Sequence, residues 1–318
     1  MDRMIVTLTA NPSLDRTITL ERALRPGEVQ SAASAREDAG GKGINVARVI
    51  AAAGVETIAV LPLAPDDPFD AALRSSGVTA RRVPIHGHVR ANLTITDPAG
   101  VTTKLNLPGA TLDATDRAAV IDAVVAASAG ARWLVLAGSL PPGAGAGFYV
   151  DVVAAVRAAH GAQAPLIAAD TSGRALTEVV AHAAPDLIKP NDEELAALAG
   201  AELDGGDDLA GEMLRVARSL VPSRTRAALV TLGEHGAVLI TADGAWHAAA
   251  PRIQVASTVG AGDSSLAGYL LAEVGGASPE DRLRRAVRYG AAAASLPGTQ
   301  APTPEDLPAG DVQVFRLA

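Results

Sequence analysis

The sequence predicts an α/β protein with a mostly parallel central sheet covered by helices on both faces. Three observations predict it. From residue 113 onward, short apolar strands alternate with helical patterns, as crossover connections between parallel strands require. Polar and glycine residues directly follow the strands, where open α/β sheets bind ligands. Two glycine turns, at 40–43 and 260–262, each run into an apolar helix and so aim free backbone N–H groups at a polar guest. A chain of 318 residues with 48% hydrophobic content suits either one large α/β domain or a domain with a small appendage.

Composition removes several function classes. The formal charge is −8 with acidic and basic residues interspersed, which argues against a nucleic-acid surface. There is no cysteine, which excludes disulfides, a thiol nucleophile and Cys-based metal sites. The first residues enter a strand pattern without the apolar segment of a signal peptide, and no apolar run approaches a membrane span. The expectation is a cytoplasmic protein with no nucleic-acid or membrane partner.

Taken in order, residues 4–9 are a β-branched strand that ends in Ala10-Asn11-Pro12-Ser13-Leu14-Asp15-Arg16, and residues 17–20 alternate again as a strand. Asp15 stands where strand meets loop, which suits a ligand contact or simply a turn. Gly40, Gly41 and Gly43 precede an amphipathic helix that runs to about residue 53, with Gly54 as its stop. Lys42 is followed by Gly43, so this is not a Walker A loop. Asn45, in the first helical turn, offers a donor and an acceptor to sugar hydroxyls. Residues 55–61 read as a strand, 64–76 as an acidic loop and short helix, and Gly77 opens another strand. Residues 89–106 read as a hairpin around Asp97-Pro98-Ala99-Gly100. Arg90 and Lys104 lie near its opposite ends, and cross-strand pairing is expected to bring them together as a phosphate clamp. An exposed pair on a solvated face is the alternative.

Further on, helices are predicted over 116–128, 147–160, 173–182, 194–199, 207–220 and 282–296. Strands are predicted over 133–137, 166–169, 186–188 and 228–231, with a hairpin of 237–241 and 244–249. Ser139, Asp170, Lys189, Asn191, Thr231, Gly233 and Asp263 all follow predicted strands, and this shared placement favours function over chance. In Ser257-Thr258-Val259-Gly260-Ala261-Gly262-Asp263, the carboxylate is the odd residue among small ones. It would repel phosphate unless it takes a proton from a nucleophile or caps the helix, and the local sequence supports both roles.

These segments carry a resemblance. Gly40-Gly41-Lys42-Gly43-Ile44-Asn45-Val46-Ala47-Arg48 and Thr258-Val259-Gly260-Ala261-Gly262-Asp263 are similar to the two signatures of the PfkB (ribokinase-like) carbohydrate kinases. Lys189-Pro190-Asn191-Asp192-Glu193-Glu194 resembles the family's Asn-x-x-Glu motif, and the similarity extends over nearly the whole chain. Asn11-Pro12-Ser13-Leu14-Asp15-Arg16 and Lys104-Leu105-Asn106-Leu107-Pro108-Gly109 resemble the branch acting on phosphorylated hexoses. The Gly-Gly-Lys-Gly form and the segment Thr103-Lys104-Leu105-Asn106 most resemble bacterial kinases of fructose 1-phosphate. Departures stand at 64–69, where relatives have a glycine-rich loop, in the short segment 290–298, and at Leu107-Pro108-Gly109-Ala110, which replaces Glu-Pro-Gly-Pro.

The resemblance implies a ribokinase-like three-layer α/β/α domain over 1–318, with a small β-sheet lid from about 11–38 and 86–107. It implies phosphorylation of fructose 1-phosphate by ATP, with tagatose 6-phosphate or fructose 6-phosphate as alternative substrates. Asp263 would be the base, and the N–H groups of Gly260, Ala261 and Gly262 would stabilise the transferring phosphoryl. Asp15, Gly40, Gly41, Lys42, Asn45, Arg90, Lys104 and Ser139 would hold the sugar phosphate. The nucleotide would lie along Lys189, Asn191, Thr231, Gly233, Gly236, Ser257 and Val259, with Mg²⁺ organised by Asn191 and Glu194 through water. A homodimer through the lid is also implied. A Rossmann-type oxidoreductase is disfavoured because no G-x-G-x-x-G follows the first strand. A non-catalytic sugar- or nucleotide-binding regulator would have no use for the carboxylate of Asp263.

Overall fold

The computed structural model describes residues 3–204 and 208–317. In chain order, β1 (Ile5–Thr9), β2 (Ser13–Leu20) and β3 (Ala32–Gly40) lead into α1 (Lys42–Ala52), followed by β4 (Thr57–Leu63), α2 (Phe69–Ser75) and β5 (Ala80–Pro84). The hairpin is β6 (Arg90–Thr96) and β7 (Thr102–Asn106). Next come α3 (Ala114–Ala127), β8 (Trp133–Ala137), α4 (Phe148–His160), β9 (Leu166–Asp170), α5 (Gly173–His182) and β10 (Leu187–Ile188). The remainder is α6 (Asp192–Ala199), α7 (Leu209–Ala217), β11 (Ala227–Thr231), β12 (Ala237–Thr241), β13 (Ala245–Ala248), α8 (Ala261–Val274), α9 (Pro279–Ser295) and β14 (Val314–Leu317). The predicted helix start at residue 207 lies outside the described residues.

A ten-stranded sheet runs in the order β14-β13-β12-β11-β10-β9-β8-β1-β4-β5. From β5 to β11 every pairing is parallel, and β12, β13 and β14 add antiparallel strands at one edge. Alternation along the strands builds two cores. Val6, Leu8, Leu134 and Leu136 pack with Val124, Val152, Val179 and Met213 of α3, α4, α5 and α7. Ile5, Trp133 and Val135 point the other way, against Val46 and Ile50 of α1, Leu266 and Leu270 of α8, and Leu283 of α9. Three layers therefore follow from a period of two read on strands buried on both faces. Helix ends are fixed locally: Asp113 and Asn191 each close a capping box, and Ser278 caps α9 ahead of Pro279.

A separate four-stranded sheet has the order β3-β2-β6-β7. Its strands leave the main sheet after β1 and after β5, and β3 runs directly into α1. One face carries Ser13, Asp15, Asn92 and Arg90, and the other carries Ile18, Leu93, Ile95 and Leu105. β3 and β14 escaped the periodicity reading because each is short or polar and lies at a sheet edge, where little is buried.

The register corrects one expectation. Lys104 sits opposite Thr94, whereas Arg90 sits opposite Ser13 on β2. Four residues of strand, roughly 13 Å, separate the two cations along the sheet. They share a face, but hairpin pairing does not bring them together.

Candidate active site

The C-terminal ends of the parallel strands lie level, with Thr9, Ala137 and Asp170 in register. The residues that follow them meet the starts of α1 and α8, which pack on one face of the sheet. Asn45 of α1 donates through Nδ2 to Oδ2 of Asp263 in α8 at 2.8 Å, across 218 residues of sequence. The two glycine turns are thus joined at one hydrogen bond.

Asp263 is the third residue of α8 and is 6% exposed. Gly260, at φ 78°, occupies the cap position, and no side chain caps this helix. The capping role is therefore not taken. The Ser264 N–H makes the first intrahelical bond, to Gly260 O, while the Ala261 N–H makes a long turn bond to Thr258 O. The N–H groups of Gly262 and Asp263 precede the helical ladder and are free for a ligand.

Three more charges face Asp263. Asp170, at the end of β9, is fully buried, and its Oδ1 accepts from Lys42 Nζ at 2.8 Å and lies 3.3 Å from Lys189 Nζ. Its Oδ2 is buried without a partner. Burial pushes the Asp170 carboxyl up, but Lys189 and Lys42 outweigh it and hold the group below the usual carboxylate range. Burial pushes the Lys42 ammonium down, and its ion pair with Asp170 reverses this and holds it well above the ordinary lysine value. Burial and the neighbouring Asp170 charge push Asp263 up to about 6, against the pull of Asn45, Lys42 and Lys189. A carboxylate tuned toward neutrality suits a proton acceptor.

On the small-sheet side, Asp15 accepts from Ser13 Oγ and from Asn92 Nδ2, both at 2.8 Å. Burial raises its carboxyl, with those bonds and Arg90 opposing. A side chain at Gly40 would collide with the Asp15 carboxylate, which is why the turn is so bare there. Arg90 is half-buried, and its Nε is enclosed with no partner. Lys104 is exposed. Asn11 Nδ2 reaches Ser139 Oγ at 3.2 Å beside this pocket. The segment at 64–69 is tied to the residue just before β6 by Asp67, which accepts from the Val89 N–H and, within the segment, from the Phe69 N–H.

On the opposite side, the Thr231 N–H bonds to Pro190 O, and Asn191 bridges to Thr231. Gly233 faces open space, while Gly236 presses against the backbone of residues 248–250. Ser257 N–H bonds to Ala294 O, which ties the loop bearing Ser257 and Val259 to the end of α9. Asn191 and Glu194 form a reciprocal cap: Asn191 Oδ1 accepts from the Glu194 N–H, and Glu194 Oε2 from the Asn191 N–H. One Glu194 oxygen is left over. No cluster of three or more His, Cys, Asp or Glu gathers among the described residues. A single carboxylate oxygen fits a hydrated Mg²⁺, which keeps most of its waters.

The fold thus gathers Asn45, Lys42, Lys189 and Asp263 in one pocket, with Asp15 and Arg90 on the small sheet beyond and Lys104 apart. Sequence reading placed Asp170 behind a strand but assigned it no part. Its strand-end position and the following Thr171-Ser172-Gly173 were the available signal.

Comparison with known proteins bears on the family and the fold. The profile described as "pfkB family carbohydrate kinase" matches residues 8–306. The chain is 36% identical to a "1-phosphofructokinase" of Xanthomonas campestris pv. campestris, covering 86% of this chain and 85% of that protein. It is 35% identical to a "1-phosphofructokinase" of Rhodobacter capsulatus, covering 97% and 96%. The crystal structure of phosphofructokinase-2 from Escherichia coli in complex with fructose-6-phosphate superposes with TM-score 0.82 at 28% identity, covering 95% and 96%.

Proposed function

Since the chain belongs to the pfkB family of carbohydrate kinases, and is therefore an ATP-dependent sugar kinase, we propose that it phosphorylates fructose 1-phosphate to fructose 1,6-bisphosphate. The observation that carries the reading is Asp263, buried, tuned toward neutrality and held by Asn45 at the meeting of the two glycine turns. The substrate hydroxyl gives its proton to Asp263 as its oxygen attacks the γ-phosphorus of ATP. The bond to the β-phosphate oxygen breaks and ADP leaves. Free N–H groups at the start of α8, with Lys42 and Lys189, meet the charge on the phosphoryl. Asp15 and Asn45 hold sugar hydroxyls, and Arg90 holds the existing phosphate. Thr231, Gly233, Gly236, Ser257 and Val259 line the nucleotide side.

Asn191 and Glu194 are the residues that would hold Mg²⁺ through water. The ion, bound with ATP, would neutralise the β- and γ-phosphate oxygens. The four-stranded sheet is read as a lid that excludes water during transfer. Its apolar face, with Ile18, Leu93, Ile95 and Leu105, supports pairing with a second copy into a homodimer. No helix among the described residues is long and apolar enough to cross a membrane. Use of ATP and a sugar phosphate points to action in the cytoplasm.

Fructose 6-phosphate is the second reading, favoured by the superposition on a kinase crystallised with that sugar. A panel of fructose 1-phosphate, fructose 6-phosphate, tagatose 6-phosphate and unphosphorylated sugars, compared by kcat/KM in a coupled ADP assay, decides. The highest value is expected for fructose 1-phosphate, and a preference for free sugars would refute the phosphate-binding role of Arg90.

A further inference from the structure

Asp170 is the one fully buried charge of the pocket that the proposed reaction leaves without a task. It takes no part in the proton transfer to Asp263, yet it touches two cations from opposite sides of the site. Lys42 opens α1, beside the sugar-binding turn, and Lys189 follows β10, beside the nucleotide. Both ammonium groups converge on the same oxygen, Oδ1, at 2.8 and 3.3 Å, and Oδ2 has no donor at all. A carboxylate buried for structural reasons alone is normally satisfied at both oxygens. This one is served by two long side chains from different elements, Lys42 partly exposed and Lys189 buried beside Gly262 at the start of α8.

We propose that Asp170 is a positioning residue that holds Lys42 and Lys189 in place for the transferring phosphoryl and keeps them from closing on the phosphates of ATP in the ground state. The charge balance gives the direction. Asp170, Asp263, Lys42 and Lys189 together sum to zero. Without the Asp170 charge the pocket carries one net positive charge and two untethered ammonium groups, so it attracts ATP more strongly. Those cations then close on the phosphates of bound ATP and stabilise the ground state more than the transition state, which tightens ATP binding and slows the chemical step. The carboxylate thus lowers nucleotide affinity and raises turnover.

The inference rests on the kinase reading above, and Asp170→Asn tests it at nearly constant shape. The expected result is a split: KM for ATP falls about threefold or more while kcat falls about tenfold or more. Titration with a non-hydrolysable ATP analogue, without sugar, is expected to show the same gain in affinity. An increase in KM for ATP, weaker analogue binding, or an unchanged kcat would overturn the inference. If Asp170→Asn does not fold, Lys42→Met is compared with Lys42→Met/Asp170→Asn, and tighter analogue binding is expected in the double variant. Equal or weaker binding there is again a refutation. Because the analogue titration needs no sugar, a wrong choice of substrate would show as absent wild-type turnover on fructose 1-phosphate and would leave this readout intact.

Discussion

The two glycine turns look alike in sequence and differ in what requires them. At Gly40–Gly43 the neighbours do, joined at Gly41 by a backbone φ of 129°: side chains on these glycines would strike Asp15, the Thr9 side chain and the backbone of Leu8. At Gly260 nothing lies within reach of an added side chain, and only the backbone, at φ 78°, asks for glycine. The first turn is a packed joint between the main sheet, the small sheet and α1. The second is an open cradle whose free N–H groups face the pocket. Similar composition therefore serves assembly in one place and ligand binding in the other.

The largest expected effect falls on the cradle. Asp263→Asn should lower kcat in the ADP-release assay by about 10²–10⁴-fold, the usual range for removal of a general base, and unchanged turnover would end the base assignment. The same variant should melt higher at pH 7. A folded-state pKa of about 6, raised from 3.8, means the stability linked to this group is full below pH 3.8 and is lost as pH rises through 6. Asn removes that loss, so thermal melts of variant and wild type should converge as pH falls toward 4. In the wild-type enzyme, kcat/KM should drop about tenfold per pH unit below pH 6, as the base becomes protonated, and an acid limb centred near pH 4 would contradict the tuning.

Next in size is the contrast between the turns themselves. Gly43→Ala puts a methyl group 2.5 Å from Thr9 Oγ1 and 3.0 Å from Leu8 O, and should cost about 2–3 kcal/mol in denaturant unfolding. Gly260→Ala meets only the left-handed backbone penalty of about 1 kcal/mol and should harm turnover more than stability. The reverse ranking would erase the distinction. The smallest effects separate the two cations of the small sheet. Arg90→Ala should raise KM for the sugar phosphate by about tenfold or more, and Lys104→Ala by about threefold or less. Equal effects would restore the clamp that the register argues against.

Much of this was legible in the chain. Apolar strands announced the sheet because burial on both faces leaves few alternatives, and the polar residues behind those strands announced the pocket. Asp263 and Asn45 were each visible, but the bond between them depends on how α1 packs on α8. Arg90 and Lys104 were misjudged because a hairpin reading fixes which strands pair and not which residues stand opposite. Asp170 was visible behind its strand, but its role was not, for a similar reason: its meaning comes from lysines at positions 42 and 189, which only folding brings to one oxygen.

The uninterrupted passage from β3 through Gly40 into α1 has a practical consequence for anyone rebuilding this molecule. The exposed segments 21–29 and 98–101 offer places to splice in a different outer sheet. A cut at 40–43 would sever the same stretch of backbone that seats Lys42 and Asn45. Recombination among relatives should therefore succeed when the crossover falls at the tips of the small sheet, and fail when it falls at its root.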